Sequence, residues 1–258
     1  MHFYKYQGTG NDFIVVDSID TPFSELTQNQ IALLCHRRYG IGADGFIVMV
    51  SSEEADFEMI YYNSDGRRAS MCGNGGRCIS QFYFDQGYKD KECIFKAIDG
   101  LHKAKLENGA INLQMHVQSS VKKLDNSDFT INTGSPHYIR FCSNSEELND
   151  IVSFGKLIRY SDKFKSEGIN VNLVLQKKLG TIEMRTYERG VEDETYSCGT
   201  GVVAAALVYA DQNNISSEID VVTKGGNLRV HFEKDNNTFS NIILIGPAKR
   251  VFQGEYYF

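Results

Sequence analysis

The sequence lacks a basic excess, a long apolar run and the pattern of a targeting segment, the features that would indicate nucleic-acid binding, a membrane span or export. Its 258 residues contain 27 Lys and Arg against 33 Asp and Glu, a formal net charge of -6, which argues against a nucleic-acid partner. No stretch of 18 apolar residues is present, and the first residues alternate like a strand instead of following the pattern of a signal peptide. We therefore expect a cytoplasmic protein that binds a small polar molecule and neither nucleic acid nor a membrane.

Cysteine pairs at metal or redox spacing are also missing. The six cysteines are residues 35, 72, 78, 93, 142 and 198. They are too few and too scattered for a disulfide scaffold, and none belongs to a C-x-x-C pair. We expect free thiols in a reducing compartment and no metal site. The glycine-rich turn at residues 8–10 lacks the full spacing of a dinucleotide fingerprint, so it is interpreted as a turn.

Two short segments resemble each other, and the cysteines that they carry lie 126 positions apart, close to half the length of the chain. The segments are Met71–Cys78 and Tyr196–Val203. Each places one cysteine, Cys72 or Cys198, before a glycine turn that precedes an apolar stretch. The spacing predicts helices over residues 75–86 and 200–210, each followed by hairpin strands. This order indicates a duplicated unit with one central helix in each half.

The start of each predicted helix has a chemical consequence. A helix N-terminus leaves backbone N–H groups unpaired and carries about half a positive charge, and here these donors belong to Gly73, Asn74, Gly199 and Thr200. Such an end binds a carboxylate and favours thiolate over thiol. If the two ends face each other, one carboxylate is held from both sides and its neighbouring carbon lies between two sulfurs. The pattern predicts inversion of an α-carbon in a cleft between the halves.

Other polar residues are open to two interpretations. Asn11, Asn63 and Asn170 each stand at a strand end or turn, where asparagine is a common turn former but could also bind the substrate. The adjacent Glu188 and Arg189 are either a solvated surface pair or a grip on an ammonium and a carboxylate. His137, which follows a proline, is either structural or a base. Cys35, Cys78, Cys93 and Cys142 are interpreted as packing residues.

A set of motifs in this chain resembles the diaminopimelate epimerase family. The motifs are Gly8-Thr9-Gly10-Asn11-Asp12-Phe13, Asn63-x-Asp65-Gly66, Met71-Cys72-Gly73-Asn74-Gly75-Gly76-Arg77-Cys78, Tyr187-Glu188-Arg189-Gly190 and Cys198-Gly199-Thr200-Gly201. The resemblance runs from residue 2 to the last strand. It implies an isomerase that interconverts LL- and meso-diaminopimelate without a cofactor, on the route to lysine and peptidoglycan.

The resemblance also implies a fold. It is an α/β (α+β) fold of two pseudo-symmetric domains, each a mixed sheet or barrel wrapped around a central helix, with the active site in the cleft between them. The final strand returns to the first half. We therefore expect one domain of residues 1–118 plus 251–258 with Cys72, and a second of residues 119–250 with Cys198. The polar segment 119–130 is expected to cross between them.

Roles follow for single residues by the same resemblance. Cys72 and Cys198 become the acid and base, and the four backbone donors after them become the cradle of the reacting carboxylate. The residues that would grip the substrate are Asn11, Asn63, Asn170, Glu188 and Arg189. Glu188 and Arg189 would bind the distal, non-reacting end.

Two positions depart from the family pattern. Many members have Gln where Gly45 stands and Asn where Ser135 stands. Both positions contact the substrate in those members. The departures therefore concern the contacts to the substrate more than the acid/base chemistry.

Two alternative functions remain open. The first is a proline or hydroxyproline racemase, which shares the two-cysteine plan; such enzymes typically have His after the first Cys-Gly, where this chain has Asn74. The second is a non-catalytic amino-acid-binding protein of the same fold, although intact Cys72 and Cys198 argue against it. The sequence also leaves open whether the chain forms a homodimer.

Overall fold

Residues 1–20, 26–124, 128–236 and 238–258 are described by a computed structural model, in which the chain forms two compact units. Unit 1 comprises Met1–Leu113 and Gly246–Phe258, and unit 2 comprises Gln114–Ile245. These bounds lie five residues before the domain boundaries expected from the sequence. Residues 125–127 of the expected crossing segment lie outside the described residues.

The elements follow one another in a repeated order of strands and helices. Over residues 1–114 they are β1 (His2–Gly8), β2 (Asn11–Ser18), α1 (Gln28–Cys35), β3 (Gly45–Val50), β4 (Phe57–Asn63), α2 (Gly73–Asp85), β5 (Glu92–Ala97), β6 (Gly100–Glu107) and β7 (Ala110–Gln114). Next come β8 (Lys122–Lys123), β9 (Phe129–Asn132), β10 (Pro136–Phe141), α3 (Ser145–Asn149), α4 (Ile151–Arg159), β11 (Asn170–Lys178), β12 (Thr181–Glu188), β13 (Asp193–Thr195), α5 (Gly199–Asn213), β14 (Glu218–Thr223), β15 (Gly226–Asp235) and β16 (Thr238–Gly246). The chain then returns to unit 1 with β17 (Lys249–Glu255).

The strands of both units pair in the same pattern. In unit 1 the order is β17-β1-β2-β3-β4-β5-β6-β7, antiparallel except for β2–β3 and β4–β5. In unit 2 the order is β8-β9-β10-β11-β12-β14-β15-β16, antiparallel except for β10–β11 and β12–β14. The parallel pairs therefore occupy the third and fifth places in each unit, and a helical connection bridges each of them. This confirms the expected fold class of two pseudo-symmetric mixed units.

One central helix lies against each sheet. In unit 1, α2 contacts β1, β2 and β6, and in unit 2, α5 contacts β10, β14 and β15. Every residue of α5 from Gly199 to Ala210 is buried, as expected for a helix of Ala and Val without charge. α2 begins two residues before its expected start and ends before Gly87, whose positive φ of 79° suits a helix end.

The outer helices cover the opposite face of each sheet. In unit 1, Ile31 and Leu34 of α1 pack with Ile14 and Phe46 of the neighbouring strands. In unit 2, α3 and α4 together take this place and pack on β11 and β12. Each unit thus has helices on both faces of its sheet.

The sequence predicts most elements but misplaces some boundaries. Asn108-Gly109, a residue pair that predicts a two-residue hairpin turn, forms one: both residues have positive φ and Glu107 pairs with Ala110. The sequence pattern over residues 146–159 predicts one helix, whereas the structure has α3 and α4, divided by Asp150, which ends the first helix and begins the second. None of the described helices is long and apolar enough to cross a membrane.

Candidate functional site

Cys72 and Cys198 occupy the same backbone position in the two units. Each is the N-cap residue of its central helix and has extended dihedral angles, φ -101° and ψ 122° for Cys72 and φ -117° and ψ 110° for Cys198. The carbonyl of Cys72 accepts from the amide of Gly76 at 2.7 Å, and that of Cys198 accepts from the amide of Val202 at 2.8 Å. In the described structure, neither cysteine side chain caps its own helix. The N-terminus of a helix is a position at which backbone amides can bind an anionic ligand.

The sulfur of Cys72 lies beside Asn11, at the start of β2. Sγ of Cys72 is 3.7 Å from Oδ1 of Asn11, which also accepts from Nδ2 of Asn74 at 3.1 Å. Nδ2 of Asn11 donates to the carboxylate of Asp44 at 2.7 Å. That contact fixes which end of the Asn11 amide faces the sulfur. Three predicted site residues, Cys72, Asn11 and Asn74, are thus in contact.

A group of ion pairs surrounds Asp44, the carboxylate that binds Asn11. Asp44 also accepts from Arg37, which makes a second contact with Asp12, and Lys5 lies 2.6 Å from Asp12. Burial raises the pKa of Asp12, but hydrogen bonds from Arg37 and Lys5 outweigh this and lower the pKa to about 2. Burial, and then the charge of Asp12, raises the pKa of Asp44. Sequence reasoning missed Asp44, although it stands beside the noted Gly45.

The sulfur of Cys198 lies beside a hydroxyl network. Sγ of Cys198 is 3.4 Å from Oγ1 of Thr200, which is 2.9 Å from Nε2 of His137. Oγ of Ser135 lies 3.0 Å from the same His137 nitrogen and 3.2 Å from Oγ1 of Thr200. The side chains of Cys198, Thr200 and His137 therefore form one connected network. Its members are neutral except for the sulfur when it ionises.

Asn172 determines the proton position on His137. Nδ2 of Asn172 lies 3.1 Å from both the carbonyl oxygen of Tyr138 and Nδ1 of His137. Because a carbonyl only accepts, this amide end must be the donor, so Nδ1 of His137 accepts and its proton sits on Nε2. Nε2 then donates to Thr200 or Ser135, and the hydroxyl of Thr200 can donate its own proton to the sulfur of Cys198.

Burial keeps His137 neutral. Burial, and then the charge of Arg189, lowers the pKa of His137 to about 3. A Cβ on Gly201 would lie 2.7 Å from Oδ1 of Asn172 and 3.2 Å from Cε1 of His137, so only glycine lets α5 approach both. Sequence reasoning missed Asn172; its position two residues after Asn170 on one strand is a signal for a shared strand face.

Asn170 joins two loops of unit 2. Its Nδ2 donates to Oγ of Ser135 at 3.0 Å and to the carbonyl of Pro136 at 3.1 Å. Its Oδ1 accepts from the amide of Arg189 at 2.9 Å. Ser135, one of the two departures from the family pattern, is therefore bound into the same network as Thr200.

The remaining predicted residues lie at strand ends. Glu188 ends β12 and its carboxylate accepts from the hydroxyl of Thr195 at 2.9 Å. The exposed side chain of Arg189 donates to the carbonyl of Glu167 at 2.9 Å. Asn63 ends β4, and its backbone bonds Gly66 and Arg67 while its side chain is exposed.

Gly45, the second departure, faces an aromatic ring. A Cβ at this position would lie 2.6 Å from Cε2 of Tyr61 and 2.9 Å from the carbonyl oxygen of Tyr62. The ring of Tyr61 therefore fills the space in which a longer side chain would begin.

Solved structures with the same fold cover a range of chemistries. A phenazine biosynthesis protein of the PhzF family from Bacillus anthracis has a TM-score of 0.73 and 16% identity, and the match covers 100% of this chain and 99% of that one. A probable proline racemase from Agrobacterium radiobacter has a TM-score of 0.70 and 13% identity, with 99% and 92% covered. At such identities these likenesses show the fold alone.

The sequence comparisons, unlike the structural ones, all lead to one family. Residues 3–120 and 129–251 match the family described as diaminopimelate epimerase. A diaminopimelate epimerase from Flavobacterium psychrophilum is 46% identical over 255 residues, 98% of this chain and 99% of the relative. One from Chlorobaculum tepidum is 38% identical over 263 residues, 96% of this chain and 98% of the relative. The chain, with a cysteine at the start of each central helix, therefore belongs to the diaminopimelate epimerase family.

Proposed function

We propose that this protein interconverts LL-2,6-diaminopimelate and meso-2,6-diaminopimelate, with Cys72 and Cys198 as acid and base and without a cofactor. One observation carries the proposal: the two cysteines occupy the same N-cap position in two units of the same topology. Membership of the family supports the choice of substrate.

The helix ends address the weak acidity of the substrate. An α-proton beside a carboxylate is difficult to remove, because removal places more negative charge next to an existing one. Amides at the starts of α2 and α5, from Gly73, Asn74, Gly199 and Thr200, would bind this carboxylate and stabilise the developing charge. Such donors act more strongly where water is excluded, and Asn74 is fully buried.

Proton transfer then needs one cysteine in each form. The thiolate takes the α-proton from one face, and the thiol delivers its own proton to the opposite face. The bond from carbon to hydrogen is broken on one side and formed on the other, so the configuration inverts. After one turnover the two sulfurs have exchanged protonation states, and each cysteine is the base for one isomer.

Five further residues are proposed to bind the substrate. They are Asn11, Asn63, Asn170, Glu188 and Arg189. Asn11 and Asn170 are supported by their hydrogen bonds within the two networks. Glu188 and Arg189 supply opposite charges next to each other for the distal ammonium and carboxylate. We place the reaction in the cytoplasm, where it would supply lysine and peptidoglycan precursors.

A labelling experiment tests the proposal. The reduced, purified protein is incubated in D₂O with LL-diaminopimelate and no added cofactor, and the two isomers are separated at early times. We expect deuterium at the α-carbon of the product while the remaining substrate stays unlabelled, because the delivered proton comes from the second, solvent-exchanged sulfur. L-Proline and L-hydroxyproline serve as controls for a racemase. Turnover of either, or a requirement for pyridoxal phosphate, would contradict the proposal.

A further inference from the structure

Arg77 is a fully buried cation in the first turns of α2. It has no exposed surface, and it stands five residues after Cys72. Its Nη1 lies 3.4 Å from the carbonyl of Gly73 and its Nη2 lies 3.1 Å from Oγ1 of Thr9. Its Nε has no hydrogen-bond partner in the described part of the chain. The groups that bind this guanidinium are therefore neutral oxygens.

A buried cation without an anionic partner is costly. Burial lowers the pKa of Arg77 to about 10, and the groups that act in the opposite direction are the thiols of Cys78 and Cys72. The side chain therefore remains charged at neutral pH. Buried charges in proteins are normally paired, so one of these two sulfurs is the natural place for the compensating charge.

Cys78 is unsuited to carry that charge. It is fully buried, and burial raises the pKa of its thiol far above the usual value. Asp12 also acts on Cys78, but its charge is already compensated by Lys5 and Arg37. Cys72 is half-buried and remains the group that can ionise next to Arg77.

The guanidinium and the sulfur of Cys72 are held by the same two segments. Arg77 bridges the turn between β1 and β2, through Thr9, and the first turn of α2, through Gly73. Sγ of Cys72 contacts Asn11, two residues after Thr9. A Cβ on Gly8 would lie 3.2 Å from Nη2 of Arg77 and 3.3 Å from Sγ of Cys78, so this turn packs closely on the charge.

We propose that Arg77 is a positioning residue that acts as the counter-ion of the Cys72 thiolate, so that Cys72 loses its proton before Cys198 in the substrate-free protein. The functional meaning rests on the acid/base role proposed above. The role of Arg77 is electrostatic: its guanidinium binds the oxygens of Gly73 and Thr9 and acts on Cys72 through its charge.

Two of the contacts that the sulfurs make oppose this effect, and each is weaker than the interaction with a full charge. The thiol of Cys72 could donate to Asn11, but S–H is a poor donor and the distance is 3.7 Å. Thr200 could donate to a Cys198 thiolate at 3.4 Å, but a hydroxyl dipole stabilises an anion less than a nearby cation does. In α5 the position equivalent to Arg77, five residues after the cysteine, is the buried Val203.

Alkylation of the reduced protein measures the ionisation of each sulfur separately. The protein is treated with iodoacetamide over a range of pH, and the modified peptides are quantified by mass spectrometry. The midpoint of each pH-rate curve reports ionisation independently of accessibility. In the wild type we expect the midpoint for Cys72 to lie at least about one unit below the ordinary thiol value of about 8.5 and below that for Cys198.

Three substitutions separate charge from packing. Arg77→Met and Arg77→Gln should both raise the Cys72 midpoint by about one to two units, which slows alkylation at pH 7 by about ten- to a hundredfold. Arg77→Gln retains a donor for Thr9 or Gly73, so its agreement with Arg77→Met identifies charge as the cause. Arg77→Lys should restore at least half of the shift. The midpoint for Cys198 should stay unchanged in all three.

The outcomes that contradict the proposal are distinct. If the midpoint for Cys72 in the wild type lies at or above that for Cys198, the proposal is wrong. This test needs no variant, so it remains decisive even if the Arg77 variants do not fold. It also fails if Arg77→Gln behaves as the wild type. Deuterium incorporation by the wild type tests the epimerase reaction independently, since Arg77 could lower the Cys72 midpoint in a protein that does not turn over diaminopimelate.

Discussion

The two central helices begin with the same backbone geometry but differ in the side chains that accompany the cysteine. The helix that begins at Cys72 carries the buried cation Arg77 five residues later, whereas the helix that begins at Cys198 carries the buried Val203 there, and Cys198 contacts the hydroxyl of Thr200. The hydroxyl is in turn bound by His137, which burial keeps neutral. A repeated fold thus preserves where a thiol stands, while the local side chains set how easily it ionises.

This difference assigns unequal tasks to equivalent residues. Asn74 and Thr200 both follow a cysteine by two positions. The amide of Asn74 binds Asn11, while the hydroxyl of Thr200 binds the sulfur network directly. The asymmetry suits a reaction in which one sulfur begins as a base and the other as an acid.

Removal of either sulfur tests whether the two halves are equally necessary and should have the largest effect. Cys72→Ser and Cys198→Ser should each lower kcat/KM by about 10² to 10⁴, the usual contribution of a positioned acid or base. The measurement is epimerisation of LL-diaminopimelate in both directions. Cys142→Ser, in a half-buried cysteine outside both networks, is the matched control and should retain activity. A comparable loss in the control would show that the assay reports general thiol damage.

Removal of the charge of Arg189, which follows β12, tests whether unit 2 binds the non-reacting end of the substrate. Arg189→Ala should raise KM by about ten- to a hundredfold with a smaller change in kcat, because a charge-assisted hydrogen bond contributes roughly 1.5 to 3 kcal/mol. Steady-state kinetics in both directions measure the effect. Arg185→Ala, which removes an ion pair between β12 and Glu194 of β13, is the control. Equal kinetic constants for Arg189→Ala and the wild type would remove Arg189 from the site.

The buried histidine predicts that acid destabilises the protein through unit 2. His137 stays neutral when folded, with its pKa lowered to about 3, while in the unfolded chain it takes up a proton below about pH 6.5. The unfolded state then binds the extra proton, so the free energy of unfolding falls as the pH drops from about 6.5 towards 3.

Substitution of His137 measures its contribution to the pH dependence of the free energy of unfolding. Between pH 7 and pH 5 it amounts to about 2 kcal/mol, and His137→Gln should remove about that much of the pH dependence in urea denaturation followed by circular dichroism. The exposed His36 provides the control substitution, His36→Gln. An unchanged pH dependence in His137→Gln would mean that this histidine also protonates in the folded state.

The hydroxyl of Thr200 should give the smallest effect. Thr200→Val removes the donor to Cys198, and we expect the alkylation midpoint of Cys198 to rise by about half a unit to one unit, as for a hydrogen bond of about 1 kcal/mol. Thr200→Ser keeps the hydroxyl and should behave as the wild type. Thr223→Val is the control, because it removes a buried hydroxyl that donates to the carbonyl of Gly226 and not to a cysteine. A Cys198 midpoint that is the same in Thr200→Val and the wild type would contradict the polarity assigned to the network.

The fold was predictable because its signals are local. The helix start at Cys72, the Asn108-Gly109 hairpin and the charge-free stretch of α5 each follow from a few adjacent residues. The break at Asp150 and the short strands β8 and β13 were missed. Strands of two or three residues are defined by pairing with distant segments, which local sequence patterns do not contain.

The candidate site could be proposed from the sequence mainly where a motif surrounds the residue. The cysteines and their helix ends stand in recognisable glycine turns, and Asn11 stands in the glycine-rich segment 8–13. Asp44 and Asn172 were missed because they act through another side chain. The buried charge of Arg77 was noted only as part of a motif, since its lack of a carboxylate partner becomes evident only after folding.

The return of β17 to unit 1 sets an order for folding during synthesis. Unit 2 is one continuous segment, so all its strands have been synthesised before residues 249–255 are made. β1, among the first residues translated, receives its second neighbour only from that late strand. Until then β1 is an open sheet edge that can pair with another chain. The half that carries Cys72 therefore completes its sheet only when the last strand of the chain has been made.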